Sequence, residues 1–251
     1  MLGPERRQKI MDILRQDSKV YVSQLAKIFN ITEETIRRDL EKLEQQNLLR
    51  RSYGGAMLYE STSEYLSFKK RSNINSESKQ AIAATAFGLI NDGDTIMVDS
   101  STTCQLLLQK LKAHKHLTII TNSVRLMNDL MGSNFTLIST GGTLRINSCS
   151  LTGAQACHTI KNYCVDFAII SCKGLDLTHG IMESNDSESE IKQHMIKQAR
   201  RTILLADHTK FDKTAFSYCC DLKHISYLVT DIAPSVEWIK TLADTKVHLL
   251  Y

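Results

Sequence analysis

The sequence predicts an α/β protein in two parts, a small helical domain that ends in a hairpin and a larger domain built on a mostly parallel sheet. The first part shows short helical patterns followed by a basic segment with a Gly-Gly pair. The second part alternates helical patterns with short apolar strands. A chain of 251 residues is long enough for two cores. We expect the first domain over 1–58, a polar linker over 59–75 and the second domain over 76–251.

The third predicted helix carries the clearest pattern of the first domain. Ile36, Leu40 and Leu43 recur at helical spacing and predict one buried face. Thr32 precedes the helix and is a suitable N-cap, because its hydroxyl can accept from an amide of the first turn. A separate stripe of the same helix contains Thr35, Arg38 and Lys42.

Two shorter helices precede this one, the first starting at Gly3-Pro4 and the second over 23–30. Residues 49–56 follow it and indicate a basic hairpin that turns at Gly54-Gly55. Three short helices and a hairpin form a winged helix-turn-helix. We therefore expect this domain to bind double-stranded DNA, with Thr35 and Arg38 in the major groove. The candidate contacts to backbone phosphates are Arg37, Lys42, Arg50 and Arg51, with Tyr53 beside the glycine pair.

Positive charge is concentrated at the amino end of the chain. Residues 1–71 contain 14 Lys and Arg against 10 Asp and Glu, which accounts for the whole formal charge of +4. The balanced remainder argues against a protein that packages DNA through a broad positive surface. Because this excess of positive charge is modest, a single DNA-binding domain should bind DNA weakly. We therefore expect a homo-oligomer, either a dimer or a tetramer.

The cysteines and the hydropathy of the chain indicate its redox compartment and whether it contacts a membrane. The seven cysteines are scattered and include no Cys-x-x-Cys spacing. This predicts reduced thiols in a cytoplasmic protein, with no metal site and no cofactor. No apolar run reaches membrane-spanning length, and the N-terminus lacks a signal-peptide core. We therefore expect no membrane partner.

The second domain reads as strands and helices in alternation. Strands are predicted at 95–98, 117–121, 135–139, 165–170, 202–206, 226–230 and 246–250. Helical patterns lie at 79–90, 103–112, 123–131, 188–200 and 234–243. Such alternation predicts a Rossmann-like, mostly parallel sheet with both faces covered. Ligands bind such sheets beyond the carboxyl ends of the strands.

Polar residues and glycines are frequent at those predicted strand ends. Hydroxyls and free amides at a helix start suit a phosphate group. Lys79 and Lys210 could balance its charge, and Asp99 and Asp207 could accept from ligand hydroxyls. Ordinary caps and turns would explain the same residues. The candidate ligand residues are Lys79, Asp99, Ser100, Ser101, Thr102, Thr103, Asn122, Gly141, Gly142, Lys173, Asp207 and Lys210.

The chain resembles the DeoR family of bacterial regulators of sugar metabolism over nearly its whole length. In the first domain the matching residues are Leu25-Ala26, Thr35 to Leu40, Arg51 and Gly54-Gly55-Ala56. In the second they are Asp99, Thr102-Thr103, Thr121-Asn122-Ser123, Gly141-Gly142, Glu188, Lys192, Asp207 and Lys210-Phe211. The resemblance implies an effector domain similar in fold to ribose-5-phosphate isomerase.

In that family the effector domain senses phosphorylated sugars or related metabolites, and binding changes the affinity for operator DNA. The resemblance therefore implies a repressor of a carbohydrate operon and gives the matching strand-end residues the effector-binding role. Two departures bear on ligand preference. Ser101 stands where the family often has Gly, and Lys173 replaces a small residue.

A sugar-phosphate isomerase with an added DNA-binding domain is the alternative. Isomerisation needs a positioned base, and 171–176 offers only Asp176 together with a lysine. Asp186, Glu188 and Glu190 lie further on, where a helix start explains them. We therefore expect no catalytic residues.

Overall fold

The computed structural model describes residues 3–17, 19–46, 48–52, 54–58 and 67–251. The chain divides into two compact units, Met1–Ser61 and Thr62–Tyr251. Among the described residues, none of the helices has both the length and the apolar character needed to cross a bilayer.

The first unit is a winged helix-turn-helix. Its elements are α1 (Gly3–Asp17), β1 (Lys19–Tyr21), α2 (Val22–Phe29), α3 (Glu33–Gln45), β2 (Leu49–Ser52) and β3 (Gly55–Leu58). The strands form an antiparallel sheet in the order β1-β3-β2. Its core contains Ile10, Leu14, Leu25, Ile36, Leu40, Leu43 and Leu49, which are at most 2% exposed.

Local sequence explains how the elements of this unit begin and turn. Thr32 caps α3 as expected, its hydroxyl accepting from the amide of Thr35 at 3.3 Å. Asn30 ends α2 in the left-handed conformation, which Asn tolerates better than most residues. A Cβ on Gly55 would lie 2.1 Å from the carbonyl oxygen of Val20. Only glycine therefore allows β1 and β3 to pair here.

The second unit is built on a parallel sheet in the order β15-β14-β12-β9-β4-β5-β6. In chain order these strands are β4 (Thr95–Val98), β5 (Thr118–Thr121), β6 (Thr136–Ser139), β9 (Val165–Ser171), β12 (Ala199–Leu205), β14 (Tyr227–Val229) and β15 (His248–Leu250). The seven predicted strands are confirmed, with ends shifted by up to three residues. The strand order reverses between β4 and β9, which is the switch point where such sheets bind ligands.

Helices cover both faces of this sheet. They are α4 (Phe68–Asn73), α5 (Ser76–Phe87), α6 (Thr102–Leu111), α7 (Val124–Asp129), α8 (Ala154–Lys161), α9 (Asp186–Gln198) and α10 (Val236–Asp244). Ile96 and Val98 of β4 pack with α5, α6 and α7, whereas Met97 packs with α8 and α9. Successive side chains of β4 therefore pack into two separate hydrophobic cores, one on each face of the sheet.

Several short elements outside the main sheet were not predicted. They are the hairpin β7 (Thr143–Arg145) and β8 (Ser150–Thr152), the small sheet of β10 (Gly174–Asp176), β11 (Gly180–Glu183) and β13 (Ser217–Cys220), and two 3-10 turns, His208–Lys210 and Leu222–His224. A Cβ on Gly142 would lie 2.6 Å from the carbonyl oxygen of Thr152, and φ at Gly142 is +111°. The tight entry into the hairpin thus requires glycine.

The expected linker over 59–75 is partly outside the described residues. Its carboxyl half contains α4, whose Phe68 is buried in the second unit. The amide of Phe68 donates to the carbonyl oxygen of Asn147 at 3.0 Å. This segment is therefore helical and anchored from Phe68 onward.

Candidate DNA-binding and effector sites

Helix α3 presents the predicted basic surface. Ile36, Leu40 and Leu43 face the core, whereas Arg37 and Arg38 are 51% and 74% exposed in their side chains. Arg37 pairs with Glu33 at 2.6 Å and Arg38 with Glu34 at 3.5 Å. Exposed pairs of this kind contribute little free energy, so a DNA phosphate can replace the glutamates.

Two acidic residues of α3 position this surface. Asp39 is buried and accepts from Arg6 Nε at 2.5 Å and from Arg7 Nη1 at 3.1 Å, which fastens α1 to α3. Glu44 accepts from the amide of Arg51 at 2.8 Å, which fastens the hairpin to the same helix. Sequence reasoning matched Asp39 to a family pattern without seeing its contacts.

The structure describes only some of the remaining candidate DNA-contact residues of this domain. Thr35 is half-buried and its hydroxyl lies 2.9 Å from that of Thr32, while Lys42 and Arg51 are exposed. Tyr53 and the side chain of Arg50 lie outside what the structure describes.

At the switch point of the second unit lies a buried network of charges. Lys192 of α9 contacts Asp99 at 2.9 Å, donates to the carbonyl oxygen of Ser171 at 2.5 Å and pairs with Glu183. Burial opposes ionisation of Asp99, but Lys192 and the amide of Ser171 outweigh it and lower the pKa of Asp99. Burial likewise opposes the charge of Lys192, while Asp99 and Glu183 hold the pKa of Lys192 well above its usual value.

The loops after β4 and β5 are buried, and most of their polar side-chain atoms form hydrogen bonds within the protein. Ser101 caps α6 by accepting from the amide of Cys104 at 3.2 Å. Asn122 is fully buried, and its Nδ2 donates to the carbonyl oxygen of Leu151 at 3.1 Å. Its Oδ1 has no hydrogen-bond partner among the described residues. Ser100, Thr102 and Thr103 are buried beside these loops.

A cationic group surrounds Asp207 after β12. Burial and the positive charges of Lys210 and Arg71 lower the pKa of Lys79 from 10.5 to about 8, with Asp207 opposing the shift. The ammonium of Lys79 donates to the carbonyl oxygen of Arg71 at 2.5 Å. Arg71 was not among the candidates, because it lies in the segment interpreted as linker.

Asp207 itself is buried and already holds several donors. It accepts from the amide of Thr209 at 3.0 Å and from Asn75 Nδ2 at 3.2 Å, and it pairs with the hydroxyl of Thr209. Lys173 and Lys210 are half-buried on neighbouring loops. Gly141 and Gly142 both have positive φ and lead into the β7–β8 hairpin.

Asp99, Glu183 and Asp176 are poor candidates for a catalytic base. Asp99 and Glu183 are both paired with the buried Lys192, which occupies carboxylate oxygens that a base would need free. Asp176 accepts from the amides of Thr178 and His179 in an exposed turn. The geometry thus provides binding groups more readily than a free base.

Two concave regions of the described surface lie away from these loops. One, of about 530 Å³, is formed by α9 and β13. The other, of about 270 Å³, is lined by Gln80, Leu106, Gln109 and Lys110. Neither is lined by a predicted effector residue.

Comparison with known proteins decides the family. Residues 6–62 match the DeoR-like helix-turn-helix domain, and residues 74–232 match the DeoR C-terminal sensor domain. The chain belongs to the DeoR family. It is therefore a DNA-binding transcriptional regulator, and the alternative of an isomerase with an added domain is not favoured.

Relatives match this DeoR-family chain over almost its whole length. It is 40% identical to the uncharacterized HTH-type transcriptional regulator YulB of Bacillus subtilis, over 99% of this chain and 96% of that protein. It is 35% identical to the transcriptional repressor GlcR of the same organism, over 100% and 96%. It is 30% identical to the glycerol-3-phosphate regulon repressor of Escherichia coli, over 99% of both chains.

One solved structure with similarity to this chain is ribose 5-phosphate isomerase A of Methanocaldococcus jannaschii. The TM-score is 0.41 at 16% identity, over 55% of each chain. Similarity at that level bears on neither activity nor ligand.

Proposed function

We propose that this protein represses a carbohydrate-metabolism operon and that a phosphorylated sugar or related metabolite controls its affinity for the operator. Relatives are named as repressors of the glycerol-3-phosphate regulon and of the aga operon. A protein with this role works in the cytoplasm, where the operator is.

The crowding of cations around Lys79 is the observation that carries the effector proposal. Lys79, Lys210 and Arg71 share one region with Asp207, and their mutual repulsion contributes to the lowered pKa of Lys79. A phosphate dianion would relieve this repulsion and favour the charged form of Lys79. The unpartnered Oδ1 of Asn122 could accept from a ligand hydroxyl, since an unsatisfied buried acceptor is costly.

We assign Asp99 and Asp207 to bracing these loops, because both carboxylates already accept several internal hydrogen bonds. Ser100 to Thr103 would offer amides and hydroxyls at the start of α6, and Gly141 and Gly142 would allow close backbone approach. Lys173 would add charge at the same edge. The effector would then be held mainly by the lysines and the loop amides.

Helix α4 provides a route from the effector to the DNA-binding domain. Its carbonyl at Arg71 is held by Lys79, and its amide at Phe68 is held by Asn147. Asn75, just beyond its end, is held by Asp207 and Thr209. All of these partners lie on strand-end loops or beside them. An effector that draws Lys79 away from Arg71 would therefore loosen α4 from one anchor.

Because α4 follows the segment 59–66, its release would change how the DNA-binding domain is held. We propose domains at 1–58 and 76–251, with α4 attached to the second and the connecting segment limited to 59–67. The effector must bind one arrangement more tightly than the other, or no shift occurs. In the proposed sign, the effector favours the arrangement with weaker operator affinity.

On the operator, we propose that two copies present α3 to major-groove faces about 34 Å apart. Thr35 and Arg38 would reach base edges, while Arg37, Lys42, Arg50, Arg51 and Tyr53 would contact the backbone. The assembly would be a dimer or a tetramer.

A thermal-shift screen tests the effector site. Phosphorylated sugars should raise the melting temperature, because a ligand of the native state alone stabilises it, whereas the parent sugars should not. Lys210→Ala should remove the shift, while Lys110→Ala, a change in an exposed lysine of α6, should keep it. An undiminished shift with Lys210→Ala would place the ligand elsewhere.

A further inference from the structure

Three potential metal ligands converge on the face of the sheet covered by α8 and α9. Cys157 belongs to α8, whereas Glu190 and His194 belong to α9. The Cys157 sulfur, one Glu190 carboxylate oxygen and one His194 ring nitrogen all lie within 4.8 Å of one another. Cys157 is 4% exposed, His194 is half-buried and Glu190 faces solvent.

The helices hold this cluster in place without help from a ligand. Glu190 and His194 are separated by four positions, so they lie on one face of α9. Cys157 and Ile160 of α8 belong to the same buried apolar cluster as Ile191 of α9. Packing between the helices therefore fixes the backbone positions from which the three side chains approach each other.

We propose that Cys157, Glu190 and His194 bind a divalent transition metal ion, with zinc as the best-suited ion. Thiolate, imidazole and carboxylate are the ligand types that zinc takes. Magnesium and calcium prefer oxygen donors and do not fit a site with sulfur and nitrogen. Three protein ligands leave the fourth position of a tetrahedral ion to water, on the exposed side of Glu190.

The distances between the three ligand atoms need only small adjustments for a zinc ion to bind. Zinc bonds of about 2.0–2.3 Å place tetrahedral ligand atoms roughly 3.5 Å apart. Exposed Glu190 and half-buried His194 can close this difference by side-chain rotation. On binding, the Cys157 sulfur forms a bond to the metal and its proton passes to water, so no oxidant or reductant is needed.

Neighbouring charges weaken the site without removing it. Lys161 of α8 and Lys197 of α9 act electrostatically on the cluster. Both lysines are exposed on long flexible side chains, so water and salt screen them. The carboxylate of Glu190 offsets part of their effect.

Binding here would join two helices behind the effector site. Helix α8 starts directly after β8, whose Ser150 donates to Glu188 at 2.6 Å. Helix α9 carries Glu188 and Lys192. A metal bound between the helices would therefore stabilise the second unit. Cysteine spacing predicted no metal site, because it cannot detect one cysteine joined by two residues far along the chain.

Cobalt binding tests the proposal directly. Chelator-treated wild-type protein titrated with CoCl₂ should show a thiolate-to-cobalt charge-transfer band that saturates near one equivalent and is displaced by ZnCl₂. Cys157→Ser should abolish the band. His194→Gln and Glu190→Gln should weaken cobalt binding at least about tenfold, since loss even of a group behind a ligand costs roughly 10–100-fold.

Matched controls separate this site from incidental binding. Cys164→Ser and His158→Gln change an exposed cysteine and an exposed histidine close to the cluster in sequence, and both should leave the titration unchanged. Fluorescence of Trp238, the lone tryptophan, confirms that each variant is folded. An unchanged band in Cys157→Ser, or unchanged affinity in folded Glu190→Gln, would overturn the proposal. No cobalt band in wild-type protein would overturn it as well.

Discussion

Lys192 shows how one buried residue can hold two carboxylates together at the switch point of the sheet. It lies between two buried carboxylates, Asp99 and Glu183, and its own side chain is 6% exposed. Its hydrogen-bond donors are directed at these groups and at the Ser171 carbonyl. Removing it would leave two buried negative charges facing each other.

Lys192→Met should therefore lower the free energy of unfolding by about 3–5 kcal/mol. Urea unfolding followed by Trp238 fluorescence measures this, because Trp238 is buried in the second unit. Lys197→Met, in the exposed last turn of the same helix, should change stability by less than about 0.5 kcal/mol. Equal effects of the two substitutions would contradict the account of the network.

Lys79 predicts a pH dependence of effector binding. Its pKa of about 8 in the free protein means that it loses its proton between pH 7 and pH 9. A phosphate dianion binds the charged form, so affinity should fall by about tenfold across this range. Lys79→Gln should bind more weakly at pH 7 and show a flatter profile in calorimetric titrations. A wild-type affinity that rises with pH would rule out this role.

The pairing of α1 with α3 depends on one carboxylate. Asp39 holds both Arg6 and Arg7, and hydrogen bonds to charged groups contribute roughly 1.5–3 kcal/mol. Asp39→Asn should raise amide hydrogen exchange in α1 and α3 and leave the second unit unchanged. Glu41→Gln, an exposed change on α3, is the control. Unaltered protection in Asp39→Asn would show that apolar packing alone orients the helices.

The elements of the main sheet were predictable because their strands are short apolar runs between turn signals. Helix α8 was missed because its core residues are few and stand among polar ones. The three-residue strands β7 (TLR) and β10 (GLD) lack the apolar runs that indicated the equally short β14 and β15. The structure shows α4 inside the segment that the sequence pattern indicated as a linker.

The strand-end location of the candidate site follows from the sequence pattern, whereas the contacts within it do not. Strand-end position marked Asn122 and Asp207, since ligands bind at that edge of a parallel sheet. Their partners depend on topology, which joins Asp99 to Lys192 across a long stretch of chain. Arg71 and Glu183 gave no local signal for the same reason.

Over the whole molecule, the formal charge excess lies in residues 1–71 and the rest is balanced. We therefore expect few contacts to DNA phosphates, and these contacts should set how steeply DNA affinity falls with salt. Lys42→Ala should reduce the slope of log affinity against log salt by about one, and Arg38→Ala should in addition relax sequence preference. Lys110→Ala should leave the slope unchanged. Fluorescence anisotropy over a salt series checks this, and a slope unaffected by Lys42→Ala would contradict the assignment.

The most direct test of the whole account is operator binding measured with and without the effector. Fluorescence anisotropy with a labelled fragment of the protein's own upstream region should show tight binding, which falls when a phosphorylated sugar found in the thermal screen is added. Lys210→Ala, which leaves the contact between Lys79 and Arg71 in place, should bind the fragment as wild type does and fail to respond at the same effector concentration. Release of Lys210→Ala at ordinary effector levels, or wild-type binding indifferent to every phosphorylated sugar, would contradict the account.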